Sequence, residues 1–379
     1  MTQYKFIKNK NILEYSAEEP HAFATYTIDS SKYNESIIEE IAIGQSLGAW
    51  ETTHVSESIL KNKVAKVIKY ESHENYFEAT IAFPYNLWQG NLSWLLTLLF
   101  GKMSFYPGIQ LSSVEFSKNC NLSGPKNSLE DIRKLLHINS KSPLLMGILK
   151  PNVAMSAEKI RDLYVEAAQA GIHLLKDDEI RFDSDENEIL KRVALVAKAK
   201  QAKNLNTLYA VHLQISGNNY LDLVKKCEQA GADGFLINSW ICGLDVLQNI
   251  RKTTNLPLFS HPALVGAFGF ENAQCTIHPR VTLAQFTRAA GADFSLFPSP
   301  YGKLGLPKPI ALDIAKQCLN TKNTNFKAMT PVPSAGIKPE HAPLAMEDFG
   351  ADFVLNAGTG IFSGGKNISE NIAEFKKYF

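Results

Sequence analysis

Four segments of this chain read alike. They are Gln169-Ala-Gly-Ile-His-Leu-Leu-Lys, Gln229-Ala-Gly-Ala-Asp-Gly-Phe-Leu-Ile-Asn, Ala289-Ala-Gly-Ala-Asp-Phe-Ser-Leu-Phe-Pro and Asp348-Phe-Gly-Ala-Asp-Phe-Val-Leu-Asn-Ala. Each reads as a helix end stopped by glycine, a short loop, and a buried strand. Glycine at the helix C′ position takes the left-handed conformation that other residues avoid. Between these segments lie strand-like runs at Leu144–Lys150, Thr207–Gln214, Leu256–Ala263 and Lys327–Ser334. Helical patterns follow the strands near Ser156–Ala170, Asn187–Ala202, Asn219–Ala230, Leu244–Lys252, Val281–Ala290, Lys308–Leu319, Pro339–Phe349 and Ile368–Tyr378. The apolar strands suit a parallel sheet covered on both faces. Eight alternating βα units over about 235 residues predict a (β/α)8 TIM barrel, with its chemistry at the C-terminal ends of the strands.

The first part of the chain has another rhythm. Ala22–Ile28, Val64–Tyr70, Tyr76–Phe83 and Gly108–Phe116 read as strands, Glu35–Gln45 as a helix, and Leu95–Phe100 as part of another. This predicts a small α+β domain over 1–125, ending near Gly124-Pro125, and a barrel domain over 126–379. A net charge of +1 gives no reason to expect nucleic acid or an anionic membrane as partner. No basic segment leads into a long apolar one, so no signal peptide is expected, and the most apolar window, Trp94–Phe100, is too short to span a bilayer. Five cysteines, Cys120, Cys227, Cys242, Cys275 and Cys318, form no C-x-x-C pair or zinc spacing, which fits reduced thiols and a cytoplasmic location.

The second barrel strand ends in Lys176-Asp177-Asp178-Glu179. Alternation puts Lys176 and Asp178 on one side and Asp177 on the other, with Glu179 free to curl back. Two carboxylates at a strand end suit a hard cation such as Mg2+, which prefers oxygen ligands. A lysine joins such a set only if it reacts with CO2 to become a carbamate. Taken alone, the four residues also fit a solvated charge run. Further candidates close neighbouring strands. Lys150 ends the first and His261 the fifth, though a core histidine bonded to a carbonyl is the plain alternative for His261. Ser334-Ala335-Gly336 and Asn356-Ala357-Gly358-Thr359-Gly360 end the seventh and eighth, where glycine-rich loops commonly hold phosphate.

These residues carry a resemblance. Gly147-Ile-Leu-Lys-Pro-Asn-Val, Lys176-Asp-Asp-Glu and Gly291-Ala-Asp-Phe-Ser-Leu-Phe-Pro-Ser-Pro-Tyr-Gly resemble the large subunit of ribulose bisphosphate carboxylase, and more specifically its non-carboxylating, type IV RuBisCO-like relatives. Gly48-Ala-Trp50 is similar to the family's N-terminal substrate motif, so the resemblance covers nearly the whole chain. It implies a ferredoxin-like N-terminal domain, a carbamylated Lys176, and Mg2+ on Lys176, Asp178 and Glu179. It also implies substrate contacts at Lys150 and His261, a phosphate site at Gly336, Gly358 and Thr359, and a homodimer with shared sites.

The departures are informative. Asn152 stands where carboxylases carry a second lysine, Gly44 where they carry a catalytic glutamate, and Phe294-Ser-Leu-Phe where they carry a histidine-ended strand. Lys303 matches the lysine of their sixth loop. Lys102 matches a position where methionine-salvage members carry a lysine general base, although a surface lysine is the plain alternative; Gly101 before it is expected to act as a hinge. The resemblance thus implies an Mg-dependent enolase acting on a phosphorylated keto-sugar-like substrate, namely 2,3-diketo-5-methylthiopentyl 1-phosphate, with Met103, Phe105 and Phe297 as candidates to receive the methylthio tail. Two alternatives stand beside it. One is a RuBisCO-like decarboxylase or isomerase of another phosphorylated sugar acid, of the 3-oxo-isoapionate 4-phosphate type. The other is a non-catalytic scaffold.

Overall fold

A computed structural model of the protein describes residues 19–48, 56–153, 155–183, 185–213, 215, 217, 219–269, 276–302, 304–322, 324–363 and 367–379. Ala49, Trp50, Cys275 and Lys303 lie outside the described residues. The chain divides into two compact units. The first comprises residues up to Leu122 with Leu264–Phe286 and Thr321–Asn325; the second comprises Ser123–Ala263, Thr287–Asn320 and Phe326–Phe379.

The first unit is a five-stranded sheet of β1 (His21–Asp29), β2 (Lys66–Ser72), β3 (Tyr76–Pro84), β4 (Ile109–Phe116) and β10 (Thr276–Ile277), in the order β10-β4-β1-β3-β2. The first four pair antiparallel. The return of Leu264–Phe286 to this unit was not legible locally. Thr276 and Ile277 pair in parallel with Gln110 and Leu111, and the Gln110 side chain donates to Thr276 Oγ1 at 2.6 Å. Just beyond, Gln285 accepts from the Val114 N–H and donates to Ser113 Oγ, each at 2.8 Å. The helix expected over Val281–Ala290 accordingly opens as a wholly buried π-helical stretch, Val281–Phe286, before a short α-helical Thr287–Ala289.

The second unit is the barrel. Its strands are β5 (Leu144–Ile148), β6 (Leu174–Lys176), β7 (Leu208–His212), β8 (Gly234–Ile237), β9 (Leu258–Ser260), β11 (Phe294–Pro298), β12 (Thr330–Ser334) and β13 (Val354–Ala357). All their pairings are parallel, in the order β12-β11-β9-β8-β7-β6-β5-β13. The end strands β12 and β13 are neighbours in space, so the sheet curls into a nearly closed barrel. Met146, Leu174, Leu236, Phe259, Phe294, Leu296 and Val332 fill its interior, and the rings of Phe259 and Phe294 stack 4.1 Å apart. Leu129 and Ile132, from a helix over Leu129–Leu135, join this cluster. That helix begins at a Ser128–Asp131 capping box, a serine with an acid three residues on, which the sequence reading passed over.

The four glycine segments behave as predicted. Gly171, Gly231, Gly291 and Gly350 have φ of +83°, +97°, +104° and +74°. At the first three, the next residue's N–H returns to a carbonyl five residues back, the Schellman closure: Ile172 to Ala167, Ala232 to Cys227 and Ala292 to Thr287. The residue two beyond each of these glycines carries a side-chain acceptor for the start of the preceding strand. His173 Nδ1 takes the Leu145 N–H at 2.9 Å, Asp233 the Tyr209 N–H at 3.0 Å, and Asp293 the Leu258 N–H at 2.8 Å. His173 accepts only while neutral, and burial pushes its pKa down to about 4. Among the described residues, no helix is long and apolar enough to cross a membrane, and Cys120, Cys227, Cys242 and Cys318 are free thiols.

Candidate active site

Lys176 is the last residue of β6 and is completely buried. Its ammonium donates to the Asp177 carbonyl at 3.0 Å and lies 3.7 Å from Glu179 Oε2. Burial pulls its pKa below the usual lysine value, against the pull of Glu179 and Asp178, and the neighbouring Lys150 cation adds to the lowering. Asp178, on the same side, meets Lys150 Nζ at 2.6 Å. Glu179 curls back as expected, so that its Oε2 lies 3.4 Å from His261 Nε2. Burial would raise the Glu179 pKa, but Lys176 and a hydrogen bond from its neighbour hold it below the usual range.

His261 follows β9. Its Nδ1 accepts from the Ala263 N–H at 3.2 Å, which places the ring proton on Nε2, facing Glu179. Burial drives its pKa well down, reinforced by Lys176, so the ring is neutral. The structure therefore brings Lys150, Lys176, Asp178, Glu179 and His261 together from the ends of β5, β6 and β9. Gly358 joins them from the end of β13: a Cβ there would stand 3.1 Å from Lys150 Cε. Gly336, with φ of +72°, follows β12, and Thr359 opens the short helix Thr359–Phe362.

Asp177 faces away, as alternation requires, into a network the sequence reading missed. It accepts from the Tyr209 hydroxyl at 2.6 Å, from Arg192 and the His212 N–H at 3.0 Å, and from Asn152 Nδ2 at 3.3 Å. Arg181 donates to the carbonyl and the side chain of Asn152, at 2.6 and 3.0 Å. Asn152, which replaces a carboxylase lysine, is thus committed to the barrel wall. Arg192 had left a signal: it interrupts the apolar stripe of Ile189, Val193 and Val196 in the helix Glu186–Ala202. A charge on such a stripe calls for a buried partner.

Lys102 belongs to the first unit and is exposed at the start of the one-turn helix Lys102–Phe105. Gly101 before it closes the π-helical turn Thr97–Gly101, with φ −55° and ψ −68°. Two of the three residues expected to receive an apolar tail are unavailable. Met103 is buried in the first unit, and Phe297 packs edge-on against Phe349 behind β11, leaving only Phe105 exposed.

Comparison with known proteins agrees with the geometry. Residues 128–304 match the family of the ribulose bisphosphate carboxylase large chain, catalytic domain. A 2,3-diketo-5-methylthiopentyl-1-phosphate enolase of Bacillus velezensis is 36% identical over 353 residues, covering 89% of this chain and 86% of its own length. The enzyme of the same name from Exiguobacterium sibiricum is 32% identical, covering 93% of this chain and 91% of its own. Among solved structures, a rubisco-like protein from Alicyclobacillus acidocaldarius superposes with a TM-score of 0.82 at 28% identity, covering 95% of this chain and 92% of that one. A barrel whose second strand delivers Lys176, Asp178 and Glu179, in a chain alike to these relatives along nearly all its length, is an enzyme of the RuBisCO large-chain family, on its RuBisCO-like branch.

Proposed function

We propose that the protein is an Mg-dependent enolase acting on 2,3-diketo-5-methylthiopentyl 1-phosphate, and that it does not fix CO2. The observation that carries this reading is the convergence of Lys176, Asp178, Glu179, Lys150 and His261 at the C-terminal mouth of the barrel. The relatives named for that activity support the substrate.

The donor set fits Mg2+ once Lys176 is a carbamate. Among the described residues no three His, Cys, Asp or Glu side chains are gathered to hold a metal. The Lys176 face offers two carboxylates and an amine, and burial favours the neutral amine that reacts with CO2. The carbamate brings a third anionic oxygen donor beside Asp178 and Glu179, a hard set of the kind Mg2+ takes. Bound Mg2+ supplies Lewis-acid stabilisation of negative charge developing on the substrate carbonyl oxygens.

The chain's own residues do the rest. Lys150 places an ammonium beside Asp178 and neutralises charge at the reacting carbons. Neutral His261 presents its Nε2–H as a donor and holds Glu179 in place. The loops at Gly336, Gly358 and Thr359 receive the phosphate. Lys102 of a partner subunit removes the proton next to the carbonyl, in a homodimer with shared sites. Proton NMR in D2O tests the reading: the protein should exchange the C1 protons of the diketone phosphate and yield the enol. Absence of both exchange and enol formation, with Mg2+ and bicarbonate present, overturns it. One observation favours a second reading, a decarboxylase or isomerase of a phosphorylated sugar acid: the chain keeps Lys303, which matches the carboxylases' sixth-loop lysine. Release of CO2 from such an acid decides for it.

A further inference from the structure

Among the described residues, the Asp177 carbonyl is the one acceptor within hydrogen-bonding distance of the buried Lys176 Nζ, at 3.0 Å. Asp177 is itself gripped from behind. Its N–H donates to the Ala210 carbonyl at 3.1 Å. Its carboxylate takes two donors on each oxygen. Oδ1 accepts from the Tyr209 hydroxyl at 2.6 Å and from Asn152 Nδ2 at 3.3 Å. Oδ2 accepts from Arg192 Nη2 and from the His212 N–H, each at 3.0 Å. Tyr209 has a part the other donors lack. Its hydroxyl also accepts from Arg192 Nε at 3.0 Å, so Tyr209, Arg192 and Asp177 close a ring of hydrogen bonds. All three side chains are buried. A fully satisfied buried network is rigid. A residue fixed at its N–H and at both carboxylate oxygens keeps its carbonyl pointing one way.

We propose that Tyr209 is a positioning residue for the carbamylation of Lys176: by closing the ring on Asp177 it fixes the carbonyl that orients the Lys176 amine toward CO2. The inference rests on the carbamate reading and deepens it. In the reaction the lone pair of neutral Nζ attacks the carbon of CO2. The N–C bond forms as one C=O π pair moves onto oxygen, and one N–H proton passes to the buffer. The carbamate nitrogen keeps its other N–H, so the Asp177 carbonyl orients reactant and product alike. Holding both in one orientation removes entropy that the step would otherwise cost, and loosening the carbonyl lowers the carbamate present at equilibrium. The neighbouring carboxylates do not hold the amine in this way. Asp178 Oδ2 is on Lys150 at 2.6 Å, and Glu179 Oε2 stands 3.7 Å from Nζ. Tyr164, on the helix Ala157–Gln169, is the natural comparison. Its buried hydroxyl also donates at 2.6 Å, but to the Thr207 carbonyl at the opposite end of β7. The two rings stand edge-on, 6.1 Å apart, and phenylalanine at either position keeps that contact.

Carbon NMR of the full chain, titrated with labelled bicarbonate at fixed pH and Mg2+, reads the carbamate directly. The titration is run below the melting temperature of every variant. Tyr209→Phe should need about 10-fold or more bicarbonate for half-occupancy, the low end of what losing support to a metal-ligating group costs. Tyr164→Phe loses a buried hydroxyl bond of the same length and should keep the wild-type half-occupancy, a separation that general destabilisation would not produce. Where Tyr209→Phe does not fold, Asn152→Ala removes the other donor to Asp177 Oδ1 and should raise the half-occupancy bicarbonate in the same direction. An unshifted titration in the folded variant, or an equal shift in Tyr164→Phe, overturns the proposal. A wild type without a carbamate signal overturns the carbamate reading and this proposal with it. A wild-type signal that titrates identically in Tyr209→Phe overturns this proposal alone.

Discussion

Asp177 and Asp178 are neighbours in sequence and serve opposite sides of one strand end. Asp178 meets Lys150 at 2.6 Å on the side of the chemistry, while Asp177 accepts from Tyr209 at 2.6 Å inside the wall. Burial alone would raise the Asp177 pKa, but Arg192, Tyr209 and the His212 N–H hold it below the usual range. A carboxylate with a depressed folded pKa stabilises fully above its unfolded value, about 3.9, and that stabilisation fades as pH falls below it. Asp177→Asn leaves Arg192 short of a buried partner and should cost about 3–5 kcal/mol at pH 7. The variant should also lose less stability than wild type between neutral pH and pH 3. Urea melts at both pH values measure this; equal stability of the two proteins at pH 7 refutes it.

On the proposed reading, Lys176 reacts with CO2 and the carbamate joins Asp178 and Glu179 on Mg2+. Activity should vanish after chelation in CO2-depleted buffer and return only when Mg2+ and bicarbonate are both restored. With labelled bicarbonate, carbon NMR should reveal a carbamate signal that is missing from Lys176→Ala. Full activity in the depleted buffer sinks the carbamate assignment.

Lys102→Ala should slow exchange of the substrate's alpha proton by about 10²–10⁴-fold, the usual contribution of a positioned base, with Mg2+ affinity unchanged. Exchange at the wild-type rate would transfer the role to another group, such as His261.

Gly358→Ala tests how closely Lys150 is packed. The added methyl stands 3.1 Å from Lys150 Cε and 3.3 Å from Ile148 Cδ1, so Lys150 must shift to admit it. Displacing a positioning group by a fraction of an ångström should lower turnover by about 10-fold or more, up to 100-fold, while the melting temperature moves little. Turnover equal to wild type would show that Lys150 tolerates the shift.

Ribulose bisphosphate should not be carboxylated. Asn152 is bound into the Asp177–Arg181 network, Leu296 is part of the barrel interior, and Gly44 has no side chain, with nothing within 4 Å of where one would begin. Each lost transition-state contact costs about 10²–10³ in rate. Steady incorporation of labelled CO2 into 3-phosphoglycerate would contradict this.

Much of this was legible because it is local. The glycine stops are set by backbone conformation at single residues, and the facing of Lys176, Asp177 and Asp178 follows from the two-residue period of a strand. What escaped is non-local. The pairing of Thr276 with Gln110 joins residues far apart in sequence. The Arg192–Tyr209–Asp177 network joins one helix and two strands. Phe297 was misread because an apolar residue near a strand end suits a helix interface as well as a ligand.

The clamps at His173, Asp233 and Asp293 tie the beginnings of β5, β7 and β9, whereas Lys176, Asp178, Glu179 and His261 gather at the finishing ends. Durability and chemistry are therefore written in separate letters of the same repeat. A lineage can redraft the loops after β11, β12 and β13 while the scaffold's fastenings stay untouched. One architecture can in this way host carbon fixation in some relatives and enol chemistry in others.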